Sequence, residues 1–156
     1  MAQTNGARNR SAGHAFELVA AKLIEPMFPH VASTRSCNRS RDNEGIDLCN
    51  RDELKQGRLP YNIQCKSMAS GVSYMTLLNA LPKDKGVVNV VFHRYTKGVE
   101  NKSGKKNFFI QGEFAMTRMV DFVELMKDRE ALKQLRLQME SLPEDQRALY
   151  QPQLTA

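Results

Sequence analysis

The run Val87-Val-Asn-Val-Val-Phe92 constrains the fold more than any other stretch of the chain. It is almost continuously apolar and β-branched, which suits a strand covered on both faces and so requires a sheet with elements packed above and below it. The predicted strand extends to Tyr95. Two more strands lie upstream, Gly45-Ile-Asp-Leu-Cys49 and Tyr61-Asn-Ile-Gln-Cys-Lys-Ser67, each alternating apolar and polar residues as a half-buried strand does. Their connector, Asn50 to Pro60, is charged and contains Gly57, so the two should pair as neighbours in a hairpin or meander. Side chains alternate across a sheet. Ile63 and Cys65 then point into the core, while Gln64 and Lys66 project from the other face within reach of Asp47.

The remaining segments surround these strands. Phe16, Val19, Ala20, Leu23 and Ile24 recur at helical spacing from Gly13 and should end before Pro26. A short strand is predicted at Val31 to Thr34, then a loop from Arg35 to Gly45. Val72 to Leu81 reads as a short helix closed by Pro82. Thr96 to Asn107 reads as a polar hairpin loop and Asn107 to Gly112 as its returning strand. Thr117 is a plausible N-cap for a long helix to about Glu140, and Ser141-Leu-Pro-Glu144 resembles a capping box opening a last short helix. The expected fold is α/β: a central mixed five-stranded sheet flanked by helices, with a C-terminal helical extension. Residues 1–12 are expected as a flexible basic arm, 13–112 as the core, and 113–156 as helices packed on the core or forming a dimer interface. A chain of 156 residues suffices for one such domain.

Charge is concentrated. Residues 51–112 hold 11 Lys and Arg against 4 Asp and Glu, whereas residues 1–50 hold 6 against 5 and residues 113–156 hold 6 against 8. With a formal charge of +6 and a pI near 9.4, a polyanion such as DNA or RNA is the natural partner. There is no apolar run long enough to span a membrane and no signal-peptide core behind the polar N-terminus, so a cytoplasmic protein is expected, in the host cytoplasm if phage-encoded. The 3 cysteines, Cys37, Cys49 and Cys65, lack Cys-x-x-Cys spacing and read as reduced thiols, not as a disulfide framework or a zinc site.

The chemistry-bearing residues gather on the paired strands. Asp47, Gln64 and Lys66 bring a carboxylate, an amide oxygen and an ammonium to one patch, although each taken singly also fits an ordinary solvated sheet face. Glu17 lies beside the apolar stripe of the first helix, where it is equally a dipole-favoured first-turn glutamate. Arg35, Arg39 and Arg41 in the loop before Asp47, Arg8 and Arg10 in the arm, Ser67, and Lys105 and Lys106 in the hairpin are candidates for phosphate contacts. His93, near a strand end, reads as structural.

With Gly13-x-x-x-Glu17 on a helix, Gly45-Ile-Asp47 on one strand and Gln64-Cys-Lys66 on the next, the chain resembles the PD-(D/E)xK nuclease superfamily over roughly residues 13–112. The resemblance implies a restriction-endonuclease-like core and Mg²⁺-dependent hydrolysis of DNA phosphodiesters, with Mn²⁺ as a substitute. It implies Glu17, Asp47, Gln64 and Lys66 as catalytic residues. Asp47, Gln64 and the Cys65 carbonyl would be metal ligands, and Glu17 would act on a second ion or through water. Glutamine stands where an acid is commoner, as in Mrr-type restriction enzymes, and the lost charge should weaken metal affinity. A small stand-alone core is similar to Holliday-junction resolvases, which implies branched DNA as substrate and a homodimer. An Mrr-like or general endonuclease, or a non-catalytic nucleic-acid-binding module of the same fold, are the alternatives.

Overall fold

The computed structural model describes residues 5–69, 72–104, 106–144 and 146, without the side chains of Asn5, Ala7 and Arg8. The chain forms two units, Met1–Arg118 and Met119–Ala156.

In the first unit the elements follow the order α1 (Asn5–Ile24), β1 (Val31–Ser33), α2 (Thr34–Cys37), α3 (Arg39–Asn43), β2 (Leu48–Asn50), α4 (Glu53–Gln56), β3 (Tyr61–Met68), α5 (Tyr74–Ala80), β4 (Val88–Glu100) and β5 (Lys106–Met116). The strands form one mixed sheet in the order β1-β2-β3-β4-β5. Only β3 and β4 run parallel, and α5 connects them. This is the α/β architecture anticipated, five strands flanked by helices. The second unit contains α6 (Met119–Glu140), none of whose residues is buried.

One sheet face packs on α1. Phe16, Ala20, Ala21 and Ile24 meet Val31, Leu48, Leu59, Ile63 and Cys65, so the helical stripe and the alternate residues of β3 are buried together. On the other face, Asn62 of β3 donates its amide to Asn89 Oδ1 of β4 at 3.0 Å, and Asn89 in turn donates to the Pro82 carbonyl at 3.0 Å. Those bonds fix the register Asn62 opposite Asn89, which also sets Lys66 opposite His93.

Four expectations are corrected. The described part of the predicted arm, residues 5–12, is helical and continuous with α1. Ala7, Arg8, Arg10 and Ala12 are good helix formers, and extending a helix already anchored by Phe16 costs far less than nucleating one, even through Gly6 and Gly13. The predicted loop 35–45 holds two short helices. In α3 the Asn38 side chain accepts from Arg41 N–H at 3.3 Å, and Arg41 pairs with Glu44 and Glu53. The predicted loop 96–107 is mostly sheet, with β4 and β5 paired from Val91↔Met116 to Glu100↔Lys106. Here glycines admit aromatic rings: a Cβ on Gly98 would lie 3.2 Å from the Phe108 ring, and one on Gly112 would lie 2.9 Å from the Phe114 ring. Finally, Thr117 caps nothing; its hydroxyl donates to the Asn89 carbonyl at 2.9 Å, and α6 begins at Met119.

Candidate active site

Strands β2 and β3 touch at one register pair, Leu48 opposite Ile63, and then part. Asp47 N–H still donates to the Ile63 carbonyl at 2.8 Å. The next donor on β3, Cys65 N–H, is met by Asp47 Oδ2 at 2.7 Å, so a side-chain oxygen stands where a neighbouring strand would offer a carbonyl. The fork therefore holds a carboxylate against the backbone of the Gln64-Cys65-Lys66 segment. Gly45 makes the approach possible. Its left-handed backbone (φ +79°) turns the chain out of α3, and Ile46 N–H closes the turn on the Arg41 carbonyl at 3.0 Å.

Asp47 is 8% exposed, and burial raises its carboxyl from 3.8 to about 6. The Cys65 N–H opposes that rise; the charge of Glu17 adds to it, and Lys66 and Arg35 pull it down. Glu17, Arg35, Lys66 and Asp47 thus share one electrostatic neighbourhood.

Gln64 and Lys66 are half-buried and alternate with the core residues Ile63 and Cys65, as anticipated. Among the described residues two buried side-chain atoms lack a hydrogen-bond partner, Gln64 Oε1 and His93 Nε2. Both belong to the sheet face away from α1, one diagonal step apart on β3 and β4. Orphaned buried polar atoms cost about 1–3 kcal/mol each and call for a ligand or a role. His93 Nδ1 lies 2.6 Å from the Tyr74 hydroxyl. With the phenol as donor to Nδ1, the ring proton would sit on the unpartnered Nε2.

Glu17 is 1% exposed and fully engaged. Its Oε1 pairs with Arg35 at 2.9 Å; its Oε2 accepts from the Ser33 hydroxyl at 2.8 Å and lies 3.3 Å from His14 Nδ1. The helix thus delivers an acid to the site, with both oxygens engaged by Arg35, Ser33 and His14.

The basic candidates separate. Arg35, whose charge is felt at Asp47, is exposed, as are Arg39 on α3 and Arg10 on α1. Arg41 is consumed by Glu44 at 2.9 Å and Glu53 at 3.1 Å, with its side chain 13% exposed. Ser67 falls on the Cys65 face, away from Lys66. Lys106 is exposed at the start of β5; Lys105 and the Arg8 side chain lie outside the described residues. Sequence reading missed Ser33 and Tyr74. Nothing local links Ser33 to a glutamate 16 residues away, or Tyr74 to a histidine 19 away; the folded elements bring them together.

Comparison with family models, curated proteins and solved structures gives no match. No helix among the described residues is long and apolar enough to cross a membrane.

Among the described residues no three His, Cys, Asp or Glu side chains converge as a metal-binding group. What the fork offers is hard oxygen: a carboxylate with Oδ1 outside its bond to Cys65, and the orphaned amide oxygen of Gln64. Oxygens of this kind are the donors that magnesium takes, in sites where it keeps several waters.

Proposed function

We propose that this protein is a Mg²⁺-dependent endodeoxyribonuclease on a restriction-endonuclease-like core, with Asp47, Gln64 and Lys66 at its centre. The observation that carries the reading is the fork. An ionisable aspartate and an unpartnered amide oxygen lie where β2 and β3 part, with a lysine two residues on. Asp47 and Gln64 would hold the ion together with the Cys65 carbonyl. Bound there, magnesium supplies charge neutralisation on the phosphate and a more acidic water.

The chain's own residues do the rest. Lys66 places an ammonium beside the attacked phosphate, stabilising the charge that grows on its non-bridging oxygens. Arg35, held from behind by Glu17, presents a guanidinium to the adjacent phosphate. Branched DNA is the proposed substrate and a homodimer the proposed working form, because paired cuts across a junction need two copies of a single-site chain. One observation favours the non-catalytic alternative: both oxygens of Glu17 and one of Asp47 already serve protein groups.

Incubation with Mg²⁺ and a four-way junction, a linear duplex and a single strand separates these readings. Paired nicks confined to the junction, lost in Asp47→Asn and Lys66→Ala with binding retained, are expected. Equal cutting of plain duplex would remove the resolvase reading, and full activity of either variant would remove the site.

A further inference from the structure

Cys37 ends α2 and Cys49 lies in the middle of β2, 12 residues apart, yet their Sγ atoms are 3.6 Å from each other. The two differ in access. Cys49 is 2% exposed, whereas Cys37 is exposed and lines an open cavity of about 650 Å³ with Ser33, Ser36 and Arg51. We propose that Cys37 and Cys49 form a paired oxidation site, with Cys37 the sulfur that meets a peroxide and Cys49 the sulfur that resolves it into a disulfide.

The electron count closes with a peroxide as oxidant. The Cys37 thiolate attacks one peroxide oxygen: an S–O bond forms, the O–O bond breaks, and water leaves once hydroxide takes up the thiol's proton. Cys49 sulfur then attacks Cys37 sulfur. An S–S bond forms, the S–O bond breaks, and the sulfenic oxygen departs as water with the Cys49 proton. Two thiols give up two electrons and two protons, and one peroxide becomes two waters.

Exposure assigns the order: a peroxide reaches the exposed Cys37, and the buried Cys49 sulfur already lies in contact with it. Closing the bond requires the sulfurs to approach to about 2 Å. In doing so Cys37 Sγ, at the end of the four-residue α2, leaves the Ser33 carbonyl, 3.3 Å away. Arg35 rides on α2 and Asp47 precedes Cys49 by two residues, so the bond clamps one side of the fork. That last consequence rests on the nuclease reading; the disulfide does not.

The test uses the full-length reduced protein with hydrogen peroxide under native conditions, followed by alkylation of remaining thiols, intact mass and peptide mapping. The expected product has lost two hydrogens, carries one alkylated thiol at Cys65, yields a linked Cys37–Cys49 peptide, and reverts with dithiothreitol. Its Tm should rise by roughly 5–10 °C. Cys37→Ser, a replacement at an exposed position, should melt like the reduced protein and lose no hydrogens. Three alkylated thiols after treatment, a link through Cys65, or Cys37 proceeding to a sulfinic acid would each overturn the proposal. A protein that forms the bond yet cuts no DNA in either state supports the oxidation site and counts against the nuclease reading alone.

Discussion

Asp47 is held where ionisation is disfavoured, and that gives it a measurable signature. Its carboxyl titrates at about 6 in the fold against 3.8 ordinarily, burial being the main cause. A raised carboxyl binds its proton more tightly folded than unfolded. The stabilising contribution is therefore fully present below about pH 3.8, is lost as pH rises through 6, and leaves a cost of roughly 2–3 kcal/mol above it. Asparagine carries no charge and can still accept from Cys65 N–H. In chelator, Asp47→Asn should thus raise Tm at pH 7.5 and lose that advantage by pH 4, read by thermal denaturation at the two pH values. Destabilisation at both would make the carboxylate a purely structural acceptor. A residue whose charge costs stability and whose removal abolishes function is the pattern of an active-site group. At this scale the alternation of Gln64 and Lys66 with the core residues Ile63 and Cys65 was legible, whereas Asp47 lies just ahead of β2 in a run, Ile46 to Asn50, that is buried throughout instead of alternating. The bond from Asp47 to Cys65 N–H was not legible, since it depends on how far β2 and β3 separate, which no local pattern records.

Between elements, Glu17 binds α1 to β1 through Ser33 and to α2 through Arg35. The pair is asymmetric: the Arg35 side chain is 41% exposed and the Glu17 side chain 2%. Removing the arginine strands a carboxylate in the interior, with only Ser33 and His14 to meet it. Arg35→Ala should cost about 1–3 kcal/mol, below the figure for a fully buried pair because those partners remain. Converting the stranded acid to an amide should recover part of the loss. The double variant Glu17→Gln, Arg35→Ala is then more stable than Arg35→Ala alone, as judged by urea midpoints; strict additivity of two losses would show that the ion pair is incidental. Elements with strong periodicity were readable in advance: the α1 stripe, β3, β4 and α5. Helices α2 and α3 were not, because four- and five-residue turns carry no period and are held by partners such as Glu53, 12 residues from Arg41.

At the scale of the molecule, the basic excess of residues 51–112 was visible in the sequence, but the share of it available to a ligand was not. Arg58 pairs with Asp84 at 2.7 Å and Arg94 with Glu113 at 2.7 Å, across separations of 26 and 19 residues that only the sheet brings together. Lys55 pairs with Asp52. Arg51, Lys83, Lys85, Lys97, Lys102 and Lys106 are exposed and enter no ion pair among the described residues. If DNA neutralises about four of them, log K should fall with log salt at a slope of roughly −4, a few hundredfold between 50 and 200 mM. Of the exposed lysines on β4 and β5, Lys97 lies four residues beyond His93 on β4, or about 13 Å along the strand. Lys97→Glu and Lys102→Glu should each reduce the slope by about 0.9, equally for junction and duplex, because a phosphate contact carries no information about branching. Fluorescence anisotropy across a salt series, in chelator so that no strand is cut, measures both quantities. A slope near zero would mean that the exposed lysines keep the protein soluble and that DNA is not what this surface meets.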